Sequence, residues 1–148
     1  MKESIELVER SPTVDEYQVL RRSTGWTMQP DETVRQGLDK TLYSVCALAS
    51  GRVVGCARVV GDGALYFYIQ DLIVLREHQG LGIGRMMMDS VMAWLDRNAG
   101  PDAFVGLMAA RGYSPFYDRY GFLPRPGNAP GMYLFRGETG RSAAQEDA

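Results

Sequence analysis

The sequence is poor in the residue types on which most metal sites and hydrolytic triads depend. Its 148 residues include one histidine, His78, and two cysteines, Cys46 and Cys56. Structural zinc sites use four Cys or His ligands, so this inventory argues against one and we expect no metal. Both cysteines lie in apolar, strand-like segments, which predicts free thiols in a reducing cytoplasm. His78 precedes a glycine-rich loop, and we expect it to be a solvent-exposed loop residue.

A long apolar run and an excess of basic residues are also missing. No apolar stretch approaches the about 20 residues that cross a bilayer, and the charged N-terminal segment does not resemble a secretory signal. We therefore expect no membrane association. The chain has 16 basic residues against 18 acidic ones, a net charge of −2. This balance argues against a nucleic-acid partner, which would need a broad basic surface.

What the sequence does contain is the pattern of one α/β (α+β) domain over residues 1–136. Short turns between β-rich runs predict a mixed, mostly antiparallel, twisted sheet with helices on both faces. The polar segment 137–148 is expected to be a flexible C-terminal tail. The predicted order is a strand at 5–8, helices at 13–24 and 31–38, strands at 42–49, 53–60 and 65–75, a helix at 83–98, a strand at 104–109, a short helix at 114–120 and a last strand at 132–135.

The sharpest local feature is a strand followed by closely spaced glycines and a helix. Glycines at positions 80, 82 and 84 let several backbone N–H groups point into one concavity, and the helix start adds the positive end of its dipole. The first turn carries Arg85 and no carboxylate, so a bound anion would suit it. The spacing fits neither a dinucleotide fingerprint nor a P-loop. Alternatively, the glycines only form a tight turn and Arg85 pairs with Asp89.

Two segments together resemble the GNAT superfamily of acyl-CoA-dependent N-acyltransferases. The segment 79–84, Q-G-L-G-I-G, resembles the family's Q/R-x-x-G-x-G/A loop and follows L-I-V at 72–74. The segment 114–122 resembles the late helix with its F-Y-x-x-x-G-F signature, and is similar to that of arylalkylamine N-acetyltransferases. The predicted elements over about residues 4–136 follow the family's order. The resemblance implies an acyltransferase with this fold, and the absence of a secretory signal and the free thiols predict that it is cytoplasmic.

The resemblance also implies where the cofactor binds. Acetyl-CoA, or a related acyl-CoA, would lie between two strands that splay apart, without a metal. Backbone groups of Leu72, Ile73 and Val74 would pair with the pantetheine arm. Phe116 of the late helix is also expected at the cofactor. The backbone amides of the loop would hold the pyrophosphate, and its residues are Gln79, Gly80, Leu81, Gly82, Ile83, Gly84 and Arg85.

Acyl transfer to an amine needs a neutral amine, a donor for the oxyanion and a proton for the thiolate. By resemblance Tyr117 is the general acid, and a phenol with an ordinary pKa near about 10 stays protonated at neutral pH. Alternatively, Tyr117 only packs. The predicted oxyanion donor is a backbone N–H of residues 72–74, freed by a β-bulge. Without a bulge, strict alternation would place Asp71 on the same face as Phe67, which is unfavourable for a carboxylate.

The base and the acceptor pocket are less determined. Asp71 is expected to act on the amine directly, through water, or by holding the substrate ammonium; the alternative is that it pins a neighbouring loop. Arylalkylamine acetyltransferases have histidines in this strand, whereas this chain has Tyr68 and Gln70, which argues against a histidine base and an arylalkylamine substrate. These two residues and Trp26 are expected to bind the acceptor, although Trp26 could simply anchor its helix.

The predicted reaction is therefore transfer of an acetyl group from acetyl-CoA to a primary amine of a small molecule or a protein, by direct attack in a ternary complex. A non-catalytic acyl-CoA-binding or sensing module is the alternative. Dimers are common in the family, so a homodimer is a further expectation.

Overall fold

The computed structural model describes residues 3–137, which form two compact units. The first comprises residues 3–24 and 28–107 and carries the whole β-sheet. The second comprises residues 25–27 and 108–137. Apart from Gly137, the expected C-terminal tail lies outside the described residues.

Most strands and helices fall within one or two residues of the predicted positions. The strands are β1 (Ile5–Val8), β2 (Tyr43–Ala49), β3 (Arg52–Gly61), β4 (Tyr66–Val74) and β5 (Phe104–Gly106). The helices are α1 (Val14–Thr24), α2 (Asp31–Asp39), α3 (Ile83–Asn98) and α4 (Ser114–Asp118).

Near the C-terminus one predicted strand is present but shorter than expected, and another was wrong. The strand expected at 104–109 ends at Gly106, because β5 pairs with β4 only over residues 104–106. The strand expected at 132–135 does not form, although its apolar residues suit one. Met132 and Leu134 are strongly exposed, and residues 132–135 pair with no strand in the described part of the chain. A strand needs a hydrogen-bonded neighbour as well as a suitable sequence.

The sheet is mixed, as predicted, with the order β1-β2-β3-β4-β5. The first three pairings are antiparallel, and β4 and β5 are parallel across the crossover through α3. On one face Trp94 of α3 stacks on Tyr43, with ring centroids 5.4 Å apart. Tyr43 pairs with Val59, so the adjacent Arg58 points to the opposite face, where it donates to the Gly37 carbonyl of α2. Helices therefore cover both faces.

Helix α1 is fixed at its start by a capping box. The Glu16 amide donates to Thr13 Oγ1 at 3.1 Å, and the Thr13 amide donates to Glu16 Oε1 at 2.8 Å. Arg10 binds Glu16 as well, and this hydrogen bond lowers the pKa of the carboxyl group. The side of α1 that packs on β3 and β4 buries Tyr17 and Leu20.

Two neighbouring residues of α1 allow a matched test of this packing. Leu20 is 0% exposed and Val19 is 50% exposed. Leu20→Ala should lower the free energy of unfolding by about 2–5 kcal/mol, because it removes buried methyl groups and leaves a cavity. Val19→Ala should change it by less than about 0.5 kcal/mol. Urea denaturation of both variants measures the difference, and equal losses would contradict this account of the α1 interface.

Candidate active site

Strands β4 and β5 run side by side only at their beginning. Their pairing extends from Tyr66 with Phe104 to Tyr68 with Gly106, whereas β4 continues to Val74. Within the described residues, the stretch 69–74 therefore has a strand neighbour on one side only, namely β3. The backbone groups on its other edge are not used by the sheet, so an extended ligand could pair with them.

The predicted bulge is present in this same stretch of β4. Cys56 of β3 pairs with Ile73 and Arg58 pairs with Gln70, so two residues of β4, Asp71 and Leu72, lie opposite one residue of β3. Asp71 has a φ of 57°, in the left-handed region that few residues other than glycine adopt. The bulge turns the Asp71 side chain away from the α3 face and towards α1, as its contacts show.

The Asp71 carboxylate is buried in a network of polar side chains. Its Oδ2 accepts hydrogen bonds from Arg58 Nη1 at 2.8 Å and from the Tyr17 hydroxyl at 3.0 Å. The side chains of Arg58 and Asp71 are 10% and 1% exposed. Burial and the nearby Asp71 charge raise the pKa of Tyr17 to about 12, so Tyr17 is a stable donor to the carboxylate.

Arg58 joins the bulge to helix α2 and to the segment after it. Besides Asp71, it donates to Thr41 Oγ1 at 3.0 Å and to the Gly37 carbonyl at 2.9 Å. Neither Tyr17 nor Arg58 was predicted from the sequence to be a site residue. For Arg58 a signal existed, since an arginine inside the apolar run of β3 needs a buried acceptor.

The glycine loop forms an open backbone turn before α3. Gly80 and Gly82 have φ values of 80° and 85°, and a Cβ atom added at either would meet nothing within 4 Å. The first turn of α3 contains no acidic residue, and no side chain caps it. Among residues 3–137, no backbone carbonyl accepts from the amides of 80–84. These amides are therefore available to donate hydrogen bonds to a bound anion.

Gln79 joins this loop to the free edge of β4. Its Nε2 donates to the Val74 carbonyl at 2.9 Å. This hydrogen bond spans the 3₁₀ turn over Arg76–His78 and fixes the distance between the end of the strand and the start of the loop.

The prediction that His78 is a solvent-exposed loop residue was wrong. His78 is 6% exposed, and its Nε2 lies 3.1 Å from Glu3 Oε1. The 3₁₀ turn directs the imidazole towards the N-terminal segment, a partner that local sequence does not reveal. Hydrogen bonds from Ser50 and from His78 lower the pKa of Glu3.

Tyr117 lies on α4 in the second compact unit, among aromatic rings. Its ring centroid is 5.0 Å from that of Phe116 and 6.2 Å from that of Phe122. The side chain is half-buried; this burial, with a smaller contribution from Tyr113, raises the pKa of Tyr117 to about 12. The phenol therefore stays protonated across the physiological range.

The predicted site residues are thus divided between the two units. The first unit holds Asp71 and the expected pantetheine and pyrophosphate residues, 72–74 and 79–85, together with the half-buried Tyr68 and Gln70. Gln70 Nε2 lies 3.4 Å from Asp71 Oδ1. The second unit holds Trp26, Phe116 and Tyr117.

A family model described as an acetyltransferase (GNAT) domain matches residues 40–124, more than half of the 148-residue chain. The chain belongs to the GNAT family. As a GNAT protein it is an acyltransferase, and its mixed sheet with helices is that of the GNAT fold.

Relatives of this GNAT protein support the assignment. It is 28% identical over 124 residues to the uncharacterized N-acetyltransferase ycf52 of Porphyra purpurea, covering 81% of this chain and 70% of that one. It is 31% identical to the chloroplastic serotonin N-acetyltransferase 2 of Oryza sativa subsp. japonica, covering 76% of this chain and 57% of that one. A crystal structure from meticillin-resistant Staphylococcus aureus, a protein of unknown function described as a probable acetyltransferase, matches with a TM-score of 0.83 and 29% identity over 89% of this chain and 99% of that one.

The described part of the GNAT chain offers neither a metal site nor a membrane-spanning helix. No group of three or more His, Cys, Asp and Glu side chains in it could hold a metal ion. None of its helices is both long and apolar enough to pass through a membrane.

The shifted pKa of Tyr117 has a measurable effect on stability. The pKa of the phenol is about 10 when the chain is unfolded and about 12 when it is folded. The contribution of the buried phenol to stability is therefore complete below about pH 10 and is lost between the two values. The free energy of unfolding of the wild type should therefore fall more steeply than that of Tyr117→Phe between about pH 9 and about pH 11. Urea denaturation at both pH values measures this. Parallel losses would contradict the burial of the phenol.

Proposed function

We propose that this GNAT protein transfers an acetyl group from acetyl-CoA to a primary amine of a small molecule or a protein. The observation that carries the proposal is the continuity of the free edge of β4 with the glycine loop. Along residues 69–74 the edge of β4 that faces away from β3 has no strand neighbour among the described residues, and the amides of 80–84 follow after one turn. An extended pantetheine arm ending in a diphosphate needs this order of groups.

In this proposal Leu72, Ile73 and Val74 pair with the pantetheine arm and the loop 79–85 binds the diphosphate. The left-handed glycines support this because they leave open space where side chains would stand. The α3 dipole and the absence of acidic residues in its first turn favour a bound anion. Phe116 would contact the cofactor from α4.

For the chemistry we propose Tyr117 as the general acid. The amine nitrogen attacks the thioester carbonyl, a C–N bond forms, and the tetrahedral oxyanion accepts a hydrogen bond from a backbone N–H of 72–74. The C–S bond then breaks, the sulfur takes the phenol proton, and the phenol regains a proton from the amine nitrogen. Acetylated amine and free CoA result, with no covalent intermediate on the enzyme.

The acceptor is proposed only as a class, a primary amine, bound with the help of Trp26, Tyr68 and Gln70. The rice relative is named for serotonin, an arylalkylamine, but Tyr68 and Gln70 stand where arylalkylamine enzymes have histidines. The net charge of −2 suits a basic acceptor such as a polyamine or a lysine side chain. The two buried free thiols suit a reducing compartment, and the cytoplasm is our proposal.

The proposal as a whole is tested by assaying CoA release with a panel of amines. Serotonin, spermidine and a lysine-containing peptide represent the three classes of acceptor. Acceptor-dependent CoA release with at least one of them supports a transferase. Acetyl-CoA binding without release for every amine would favour the alternative, a sensing module.

The role of Tyr117 has its own test. Tyr117→Phe should lower kcat by about 10²–10⁴-fold, the usual contribution of a general acid. The Kd for acetyl-CoA, measured by calorimetry, should stay unchanged because the ring remains. Tyr120→Phe, three residues further along, serves as the matched control and should keep kcat near the wild-type value. An unchanged kcat in Tyr117→Phe would exclude the phenol as the acid.

The glycine loop can be tested by binding alone. Gly82→Val should raise the Kd for acetyl-CoA by at least about tenfold, because a β-branched residue is strained at this φ and its side chain fills the space expected to hold the diphosphate. Gly100→Val places the same side chain at a glycine that also has open space but no left-handed φ. Acetyl-CoA binding by this control should stay normal. Equal affinities in both variants would refute a diphosphate site at this loop.

A further inference from the structure

We infer that Asp71 is a positioning residue that holds the β4 bulge, and that it is not the base that activates the amine. The inference rests on the proposed function, because it assigns Asp71 a role in orienting the backbone that would meet the thioester. Three observations on the first compact unit carry it: the backbone conformation of Asp71, the partners of its carboxylate and the partner of its carbonyl.

The backbone at Asp71 is strained, and side-chain contacts hold it in place. Outside glycine, only Ser50 and Asp71 have a positive φ among the described residues. Aspartate enters the left-handed region more readily than most residues, but the conformation persists only when its surroundings impose it. Here Arg58 of β3 and Tyr17 of α1 both donate hydrogen bonds to the Asp71 Oδ2 atom.

The same contacts leave the carboxylate poorly placed for proton transfer. A general base must reach the proton it removes, directly or through one water. Oδ2 already accepts two hydrogen bonds, Gln70 Nε2 stands 3.4 Å from Oδ1, and the side chain is 1% exposed. Arg58, itself 10% exposed on its side chain, depends on this carboxylate as its counter-ion.

The third contact ties the network to the backbone that follows. Cys56 Sγ donates to the Asp71 carbonyl oxygen at 3.3 Å. Both the side-chain carboxylate and the backbone carbonyl of Asp71 are therefore hydrogen-bonded to residues of β3. The peptide joining Asp71 to Leu72 is therefore fixed in direction. Its orientation sets where the amides of 72–74 point, which are the proposed oxyanion and pantetheine donors.

Two substitutions separate the positioning role from the base. Asp71→Asn keeps the acceptor oxygen and the tolerance for a left-handed φ, so kcat should fall by no more than about tenfold, less than the loss of a general base. Asp71→Ala loses the acceptor oxygen and the tolerance for a left-handed φ. The proposed oxyanion donor, a backbone N–H of 72–74, should then be displaced, and kcat should fall by about 100-fold. In the free protein, hydrogen exchange of the amides that bond residues 72–74 to β3 should be faster in Asp71→Ala and near wild type in Asp71→Asn.

Ser50→Ala is the matched control, because it places alanine at the other non-glycine residue with a positive φ, in the turn between β2 and β3. Its kcat and its exchange at 72–74 should stay at the wild-type level. Should Asp71→Ala leave Arg58 buried without a partner and fail to fold, Arg58→Met combined with Asp71→Ala removes both charges. The double variant should show the same faster exchange.

Two results would overturn the inference. One is a loss of about 1000-fold or more in Asp71→Asn with native exchange at 72–74, which is the signature of a base. The other is native exchange at 72–74 in Asp71→Ala or in the double variant. The exchange measurement needs no acceptor, so it decides the role of Asp71 even if the wild type acetylates none of the amines. A wild type that acetylates none of the amines would count against the proposed function alone.

Discussion

The buried ion pair between Arg58 and Asp71 is the interaction on which the candidate site depends. Removing two charges from water carries a penalty of several kcal/mol per ion, so such a pair persists only with good geometry and further hydrogen bonds. Tyr17 supplies one of these to the carboxylate, and Gly37 and Thr41 supply two acceptors to the guanidinium. Two helices and two strands are thereby joined at one bulge. The bulge falls in the part of β4 that β5 leaves unpaired, so an irregular stretch of the sheet is held by buried polar contacts.

The glycine loop meets a different requirement, since it must stay open. An α-helix begins with amides that have no partner within the helix, and proteins usually satisfy them with a capping side chain. Helix α1 follows this rule through Thr13 and Glu16, whereas α3 begins at a left-handed glycine with no side-chain cap. Helix α2 also lacks a side-chain cap but carries Asp31 and Glu32 in its first turn, whereas the first turn of α3 has no acidic residue, which suits the diphosphate proposed there. The hydrogen bond from Gln79 to the Val74 carbonyl holds the loop close to the end of β4.

Local sequence was sufficient for most of the fold, because period, turn glycines and caps act over a few residues. It also predicted the β4 bulge, since a carboxylate among Phe67, Ile69 and Ile73 violates alternation. It could not name the partners of Asp71, because Tyr17 and Arg58 lie 54 and 13 residues away. The burial of His78 depends in the same way on Glu3, 75 residues distant. The apolar run at 132–135 shows the opposite error, a strand-like sequence that has no strand neighbour in the described residues.

The pKa of about 12 for Tyr117 constrains how the proposed transfer can run. A thiol has an ordinary pKa near about 8.5, so a free thiolate would not take a proton from so weak an acid. The donation becomes favourable only if the phenol regains a proton as it gives one up. The attacking nitrogen supplies that proton, because it becomes strongly acidic once the C–N bond has formed. Once the amine has bound in its neutral form, one phenol can serve both atoms, and this transfer step itself needs no carboxylate base. This agrees with an Asp71 engaged by Arg58 and Tyr17.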